Sequence, residues 1–156
     1  MGFIVMFVAA WIAVFVFYSM EERLSILENT FVFLVVLTLG INLSWIVAEE
    51  LKWIELTKDG LLYSGFIVFR SVVIPMVFVI AMNAMLRAGR ASTAIVSAAA
   101  VVGALVALNG AAVHYDIFRY ERWNLGYDAI SHLLMLAIVF GLLRLYRRAV
   151  YGRDAS

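Results

Sequence analysis

The chain has 156 residues, of which 65% are hydrophobic and 15% are charged, and its formal net charge at pH 7 is +1. Ordinary soluble domains are roughly 45–50% apolar and about 25% charged, so this composition excludes a soluble enzyme, a secreted disulfide scaffold and a disordered tail. Because the sequence has no cysteine, thiol chemistry and thiolate metal sites are also excluded. The near-neutral charge argues against a nucleic-acid partner, which requires a concentrated basic face. We therefore expect membrane lipids to surround the protein.

Five apolar segments follow one another along the chain. A helix that crosses a bilayer needs about 20 apolar residues, with a range of roughly 17–25. The segments cover about residues 3–20, 30–48, 61–86, 92–115 and 129–145. No Lys or Arg precedes the first segment and no small-residue cleavage site follows it, so we predict a retained helix rather than a signal peptide. The sequence predicts an all-α, polytopic membrane helix bundle that forms one domain over residues 1–156.

The distribution of basic residues predicts how the bundle is oriented. Five spanning helices place the N-terminus and the second and fourth loops on one side of the membrane. That side carries Lys52, Lys58, Arg119 and Arg122, and the other side carries Arg23, Arg87, Arg90, Arg144, Arg147, Arg148 and Arg153. Because cytoplasmic loops are enriched in Lys and Arg, we predict an external N-terminus and a cytoplasmic C-terminus.

Small residues recur along the fourth segment. Close approach of small side chains drives helix packing in lipid, so we predict that this helix is the centre of the bundle and packs through this face. Self-association through the same face is the alternative. In the third segment Pro75 cannot donate a hydrogen bond to the Ser71 carbonyl, which predicts a kink near Ser71. The predicted small-residue stripe comprises Ala99, Gly103, Ala107, Gly110 and Ala111.

Several polar residues fall within the apolar segments or at their ends. Ionisable side chains are costly in a membrane and usually face the interior of the bundle. Arg70 lies about 14 Å along the third helix, and the topology places the other polar residues at the same predicted outer side. The candidate ligand-binding cluster comprises Asn42, Glu49, Arg70, His114, Asp128 and His132.

Three interpretations of this cluster remain open. In the first, the cluster is a structural network in which Glu49 or Asp128 neutralises Arg70. In the second, it is a polar vestibule for a small anion, a proton or an anionic lipid headgroup, which Arg70 recognises. The third is a divalent metal site, because histidine and carboxylate ligands suit zinc. No metal-binding motif is present and Arg70 would repel a cation, so we predict no metal and no cofactor. Since no nucleophile motif, phosphate loop or catalytic carboxylate pair is found either, we do not expect an enzyme.

Four short sequence features together carry a resemblance to a known group of proteins. They are Arg122-Trp123-Asn124 before the last helix, LLRLYRR at 142–148, NLSWIVAEEL at 42–51, and the Arg70 to Pro75 spacing. In these features the chain resembles small uncharacterised multi-helix membrane proteins of spore-forming Gram-positive bacteria. The resemblance implies an integral protein of the bacterial cytoplasmic membrane, and it implies no activity, cofactor or catalytic residue.

The first hypothesis for function is a non-enzymatic accessory, scaffolding or self-assembling subunit, with a second copy of the chain or another membrane protein as its partner. The alternative is an outward-facing polar site that binds or conducts a small ion, an anionic ligand or a lipid headgroup. A membrane-lesion protein of the holin type agrees with the small size and basic tail, but such a protein does not need buried charges. We expect the charged loop at residues 49–60 to lie along the membrane interface as a short amphipathic turn.

Overall fold

The computed structural model describes residues 1–152 and contains there five long helices and two short strands. All five helices in this range are long and apolar enough to cross a membrane, with mean hydropathies between 1.9 and 2.3. The predicted all-α, multi-pass membrane bundle is confirmed, while Arg153 lies outside the described residues. The helices are α1 Gly2–Ser19, α2 Ile26–Glu50, α3 Gly60–Arg87, α4 Ala91–His114 and α5 Leu125–Tyr151, and the strands are β1 Ile54–Leu56 and β2 Phe118–Tyr120.

Polar caps set the starts of two helices earlier than the apolar segments indicate. Helix α2 begins at Ile26 because Ser25 and Glu28 form a capping box, in which each side chain bonds the other residue's backbone N–H. Helix α5 begins at Leu125 because the Asn124 side chain accepts a hydrogen bond from the backbone N–H of Tyr127. The apolar segments therefore predicted these two helices correctly, but the predicted starts lie about one turn too late.

The loops between α2 and α3 and between α4 and α5 pair with each other in a small antiparallel sheet. Ile54 lies opposite Tyr120, and Leu56 lies opposite Phe118. Each strand follows a residue in the left-handed conformation that ends the preceding helix, Lys52 with φ 53° and Asp116 with φ 55°. Within residues 49–60 the predicted amphipathic turn is wrong in its secondary structure, because Ile54–Leu56 form a strand that pairs with the next loop on the same side; its position along the membrane interface stays a prediction. We call this part of the bundle the sheet end.

Helix α3 is the centre of the bundle. Half of its most apolar stretch is buried, whereas only 6% of the corresponding stretch of α4 is buried. Phe69 and Phe78 of α3 are among the largest fully buried side chains and belong to two different apolar clusters, one at each end of the bundle. The prediction that the fourth helix occupies the centre is therefore wrong, since that helix contributes few buried side chains.

The small-residue stripe of α4 does not pack within the bundle. Ala99, Gly103 and Ala107 are exposed, while Gly110 and Ala111 are only partly buried. A Cβ atom added to Gly103 would meet nothing within 4 Å. The helix buries a different face, so the prediction of close packing along the stripe is wrong for a single copy of the chain. The buried residues of α4 are Val102, Leu105, Asn109 and Ala112.

A close backbone approach between two spanning helices instead involves Gly65 of α3. A Cβ atom at this position would lie 3.2 Å from the Cα atom of Phe3 in α1. Such a distance leaves no room for a larger side chain, because the neighbouring atom belongs to the backbone and cannot rotate away. Gly65 therefore has the packing role in lipid that the sequence assigned to helix α4.

Helix α3 is irregular just before its proline. Residues Phe69–Val73 form a π-helical segment, in which the N–H of Ile74 bonds the carbonyl of Phe69 five residues back. Pro75 is buried directly after this segment. The distortion predicted near Ser71 is thus present as a π-helical turn, a form of irregularity that is frequent at functional sites.

A buried polar network ties the helices together at the end of the bundle opposite the sheet, which we call the arginine end. Asn83 is fully buried, and its Oδ1 atom accepts hydrogen bonds from the backbone N–H groups of Arg23 and Leu24 at 2.7 and 2.9 Å. Its Nδ2 atom donates to Asn29 Oδ1 at 2.9 Å and to the carbonyl of Val79 at 3.0 Å. Asn83 therefore holds the α1–α2 loop against α3.

An ion pair joins α2 to α5 at the same end. The Nε atom of Arg147 lies 2.6 Å from the buried carboxylate of Glu28. One turn away, the rings of Phe31 and Tyr146 stack with their centroids 4.6 Å apart. These contacts close the gap between α2 and α5 at the arginine end.

Candidate functional site

A cleft of about 90 Å³ lies at the sheet end of the bundle. Helices α2 and α5 form its walls, α3 and one residue of α4 form its base, and the sheet covers it. This volume is several times the minimum that one water molecule needs, so the cleft can admit a small polar group. Most of its surface is apolar, with a few polar side chains. The polar residues that line it are Ser44, Arg70, Asn109, Asp128, Ser131 and His132.

Arg70 reaches the cleft from the π-helical segment of α3. Its Nη1 atom donates to Ser44 Oγ at 3.1 Å, and its guanidinium carbon lies 5.2 Å from the centre of the Phe66 ring. Its Nε atom is buried and has no hydrogen-bond partner among residues 1–152. Within the same range no carboxylate lies within 4 Å of the guanidinium. The interpretation in which Glu49 or Asp128 neutralises Arg70 does not agree with this geometry.

Asp128 lies in the first turn of α5, is buried and also lines the cleft. Its carboxylate accepts a hydrogen bond from the hydroxyl of Tyr120 in β2 and another, at 2.7 Å, from Nε1 of Trp123. Both donors are neutral, so the negative charge of the carboxylate is solvated but not neutralised. The pairing of β2 with β1 positions the Tyr120 hydroxyl for this contact.

His132 follows Asp128 by one helical turn and is also buried. Its Nδ1 atom lies 2.7 Å from the backbone carbonyl oxygen of Asp128. Because a carbonyl oxygen can only accept, Nδ1 is the donor, and Nε2 is then an acceptor in the neutral ring. Nε2 has no partner in the described part of the chain. His132 therefore offers an unused nitrogen to anything that occupies the cleft.

Asn109 is the residue of the site that the sequence analysis missed. It is 5% exposed, lines the cleft, and makes no side-chain hydrogen bond within residues 1–152. A signal for it was present, because Asn109 is the only polar side chain between Ser97 and His114 in helix α4, and a polar residue inside a spanning segment is a functional candidate. Ser44 and Ser131 carried no comparable signal.

Three predicted residues lie outside the site. Asn42, Glu49 and His114 are all exposed, and the Asn42 side chain bonds only the carbonyl of Thr38 in its own helix. Asn42 and Glu49 miss the cleft because α2 turns another face toward it, the one that carries Leu43, Ser44 and Val47. His114 is the last residue of α4 and does not line the cleft. The four residues proposed as metal ligands therefore do not come together. Residues 1–152 contain no group of three or more His, Asp or Glu side chains able to hold a metal ion.

No protein-family profile, curated protein or solved structure matches the chain. The function of the chain must therefore be inferred from the geometry of the cleft. That geometry brings together Arg70, Asp128 and His132 of the predicted cluster and adds Asn109 to them.

The contact between Tyr120 and Asp128 predicts a dependence of stability on alkaline pH. Burial and the Asp128 carboxylate both raise the pKa of Tyr120 above its ordinary value of 10.0. Above pH 10 the unfolded chain releases this proton and the folded chain keeps it, so the free energy of unfolding falls by up to about 1.4 kcal/mol per pH unit from this residue. Below pH 10 its stabilising contribution is fully present.

We expect the Tyr120→Phe variant to lack this contribution. Its unfolding free energy, measured from pH 8 to pH 11.5, should be about 2 kcal/mol below wild type at pH 8 because a hydrogen bond to a carboxylate is lost. The difference should shrink above pH 10. Parallel curves for the two proteins across this range would show that Tyr120 ionises in the folded state as it does in the unfolded state.

Proposed function

We propose that the chain is an integral membrane protein that binds an anionic ligand in the cleft at the sheet end. One observation carries this proposal. Arg70 places a guanidinium in the cleft with no carboxylate within 4 Å in the described range and with its Nε buried and unpartnered. An unpaired cation in a medium of low dielectric constant is costly, and a phosphate or carboxylate would accept charge-assisted hydrogen bonds from it.

Two further side chains support a bound ligand. Asn109 and His132 are buried residues that line the cleft. Among residues 1–152, Arg70 Nε is the one fully enclosed side-chain nitrogen or oxygen without a partner, so the Asn109 amide and His132 Nε2 are open to the cleft and can contact a molecule that enters it. Asn109 can donate a hydrogen bond to an anion, and Nε2 of the neutral His132 ring can accept one from a hydroxyl or N–H group of the ligand.

The proposal includes a location. The excess of arginine at the end opposite the sheet indicates that this end is cytoplasmic, which makes the cleft face outward. The resemblance to small membrane proteins of spore-forming bacteria supports a position in the bacterial cytoplasmic membrane. We propose that the protein binds its ligand without converting it.

The test compares Arg70→Gln with Arg122→Gln in detergent solution, using inorganic phosphate and short-chain phosphatidic acid as probes. Arg122 is exposed at the sheet end outside the cleft, so the control variant changes the net charge equally. A probe at one hundred times its Kd should add about 2.7 kcal/mol to the unfolding free energy of wild type and of Arg122→Gln. It should add nothing to Arg70→Gln, and an equal gain in all three proteins would refute the proposal.

A second measurement separates binding from a structural role. Because the Asn109 amide makes no hydrogen bond within residues 1–152 and is open to the cleft, Asn109→Leu should change the unfolding free energy of the ligand-free protein by less than about 0.5 kcal/mol. The same variant should weaken the stabilisation by phosphate. A purely structural Asn109 would give the opposite result, with lower stability and no change in the effect of phosphate.

The self-assembling subunit remains a second candidate function, because one observation favours it. Helix α4 is the least buried helix of the bundle, and its residues Ala99, Gly103 and Ala107 are exposed to the surroundings. Small residues at this spacing allow the backbone of another helix to approach closely. Replacing Gly103 by Leu separates the two candidates, since it should remove an oligomer and leave phosphate binding unchanged.

A further inference from the structure

We infer that the ligand of the cleft is a membrane phospholipid whose headgroup carries a primary ammonium beside the phosphate. The inference rests on the proposed anion binding at Arg70 and adds a second recognition element and a route of entry. It depends on the placement of Asp128 relative to Arg70 and on which sides of the cleft are closed by protein.

The cleft contains two opposite charges that do not pair with each other. Arg70 and Asp128 both line it, and no ion pair within 4 Å joins them or links Asp128 to any other cation in residues 1–152. A headgroup with a phosphate and an ammonium complements both charges, with the phosphate at Arg70 and the ammonium at Asp128. A headgroup that is only anionic would leave Asp128 without a counter-charge and facing a like charge.

The surroundings of Asp128 leave room for an ammonium. A carboxylate has about four acceptor positions, and the contacts from Tyr120 and Trp123 use two of them. The indole of Trp123 also lines the cleft, and the face of an indole ring attracts a cation. A primary ammonium, which has three N–H donors, can therefore bond Asp128 while it lies against Trp123.

The walls of the cleft indicate where the ligand enters. The sheet covers one side through Ile54, Leu56 and Phe118, and α3 with Asn109 closes the base. Toward the arginine end, the contact of Phe31 with Tyr146 closes the gap between α2 and α5. The other lining residues come from α2 and α5, and we infer that the ligand enters through a gap between these two helices near the sheet end. An acyl chain can leave through this gap, which free phosphate does not require.

The experiment uses the wild-type protein in nanodiscs that contain equal amounts of phosphatidylethanolamine, phosphatidylglycerol and phosphatidylcholine. Native mass spectrometry then measures which lipids stay bound after release. We expect phosphatidylethanolamine to be retained about tenfold over phosphatidylglycerol, because one charge-assisted hydrogen bond distinguishes them. A phosphatidylethanolamine series with zero to three N-methyl groups should show retention falling as N–H donors are lost.

Two variants assign the two charges. Asp128→Asn keeps the shape of the side chain and its acceptor for Trp123, so it should bring the retention of the two lipids to within twofold of each other. Arg70→Gln should lower the retention of both lipids by about tenfold or more. The methylation series needs no variant and keeps the inference testable if Asp128→Asn does not fold.

The outcomes distinguish this inference from the proposed function. If the wild type retained both lipids equally and this retention still depended on Arg70, the proposed recognition of the ammonium by Asp128 would be refuted. The proposed anion binding at Arg70 would remain. If phosphoethanolamine without acyl chains bound as tightly as the lipid, only the claim that the ligand is a membrane lipid would be refuted. Retention that does not depend on Arg70 would overturn both proposals.

Discussion

Asn83→Ala is expected to lower the free energy of unfolding by about 3 kcal/mol, the largest effect of any single polar substitution in this chain. The Asn83 side chain is fully buried and accepts from the backbone N–H groups of Arg23 and Leu24. Its removal leaves these two donors and the Oδ1 acceptor of Asn29 without a partner, and each unsatisfied buried group costs about 1–3 kcal/mol. Unfolding in mixed micelles of detergent and SDS measures the change.

Asn42→Ala is the matched control for this substitution. Asn42 is exposed and bonds only the Thr38 carbonyl within its own helix, so its removal should change the unfolding free energy by less than about 0.5 kcal/mol. Similar losses in the two variants would mean that the Asn83 contacts do not hold the α1–α2 loop in the membrane-embedded protein.

Gly65→Leu is expected to have the largest effect on helix packing. A Cβ atom at Gly65 would already lie 3.2 Å from the Cα of Phe3, so a leucine there must push α1 away from α3. Overpacking of this kind costs about 1–3 kcal/mol, and a rigid backbone neighbour places it at the upper end of that range. We expect a loss of about 3 kcal/mol, with a smaller loss for Gly65→Ala, measured by the same unfolding assay.

Gly103→Leu provides the comparison, because a Cβ atom at this exposed position meets nothing within 4 Å. It should leave the unfolding free energy of the monomer within about 0.5 kcal/mol of wild type. If the exposed face of α4 binds a second copy, cross-linking in native membranes should show the loss of a dimer in this variant only. A large loss of monomer stability in Gly103→Leu would contradict the packing described for α4.

The sequence was sufficient to predict the five spanning helices, because hydrophobicity over about 20 residues determines membrane insertion. It was also sufficient to place Arg70, Asp128 and His132 at the same end of the bundle, since the order of the helices requires that. It did not identify which face of each helix is buried. Asn42 and Glu49 share a face of α2, but that face points outward, and no periodicity in a uniformly apolar helix distinguishes a lipid-facing side from a protein-facing one.

The sheet and the Asn83 network could not be predicted for a second reason, which is the distance between their partners along the chain. Ile54 pairs with Tyr120, and Asn83 bonds Leu24, so neither partner is visible in a local window. The capping box of Ser25 and Glu28 is different, because its four-residue pattern is local and was available in the sequence. Its recognition would have placed the start of α2 correctly and indicated that Glu28 is not a lipid-facing residue.

The pairing of β1 with β2 imposes an order on the synthesis of this protein. Strand β1 emerges after the second helix, whereas its partner follows the fourth, so the hydrogen bonds of the sheet form only when four helices have left the ribosome. Asp128 is synthesised later still, because it lies in α5. A nascent chain arrested after α3 would therefore hold Arg70 with an uncovered guanidinium, and phospholipid or water would have to solvate it until the last helix inserts.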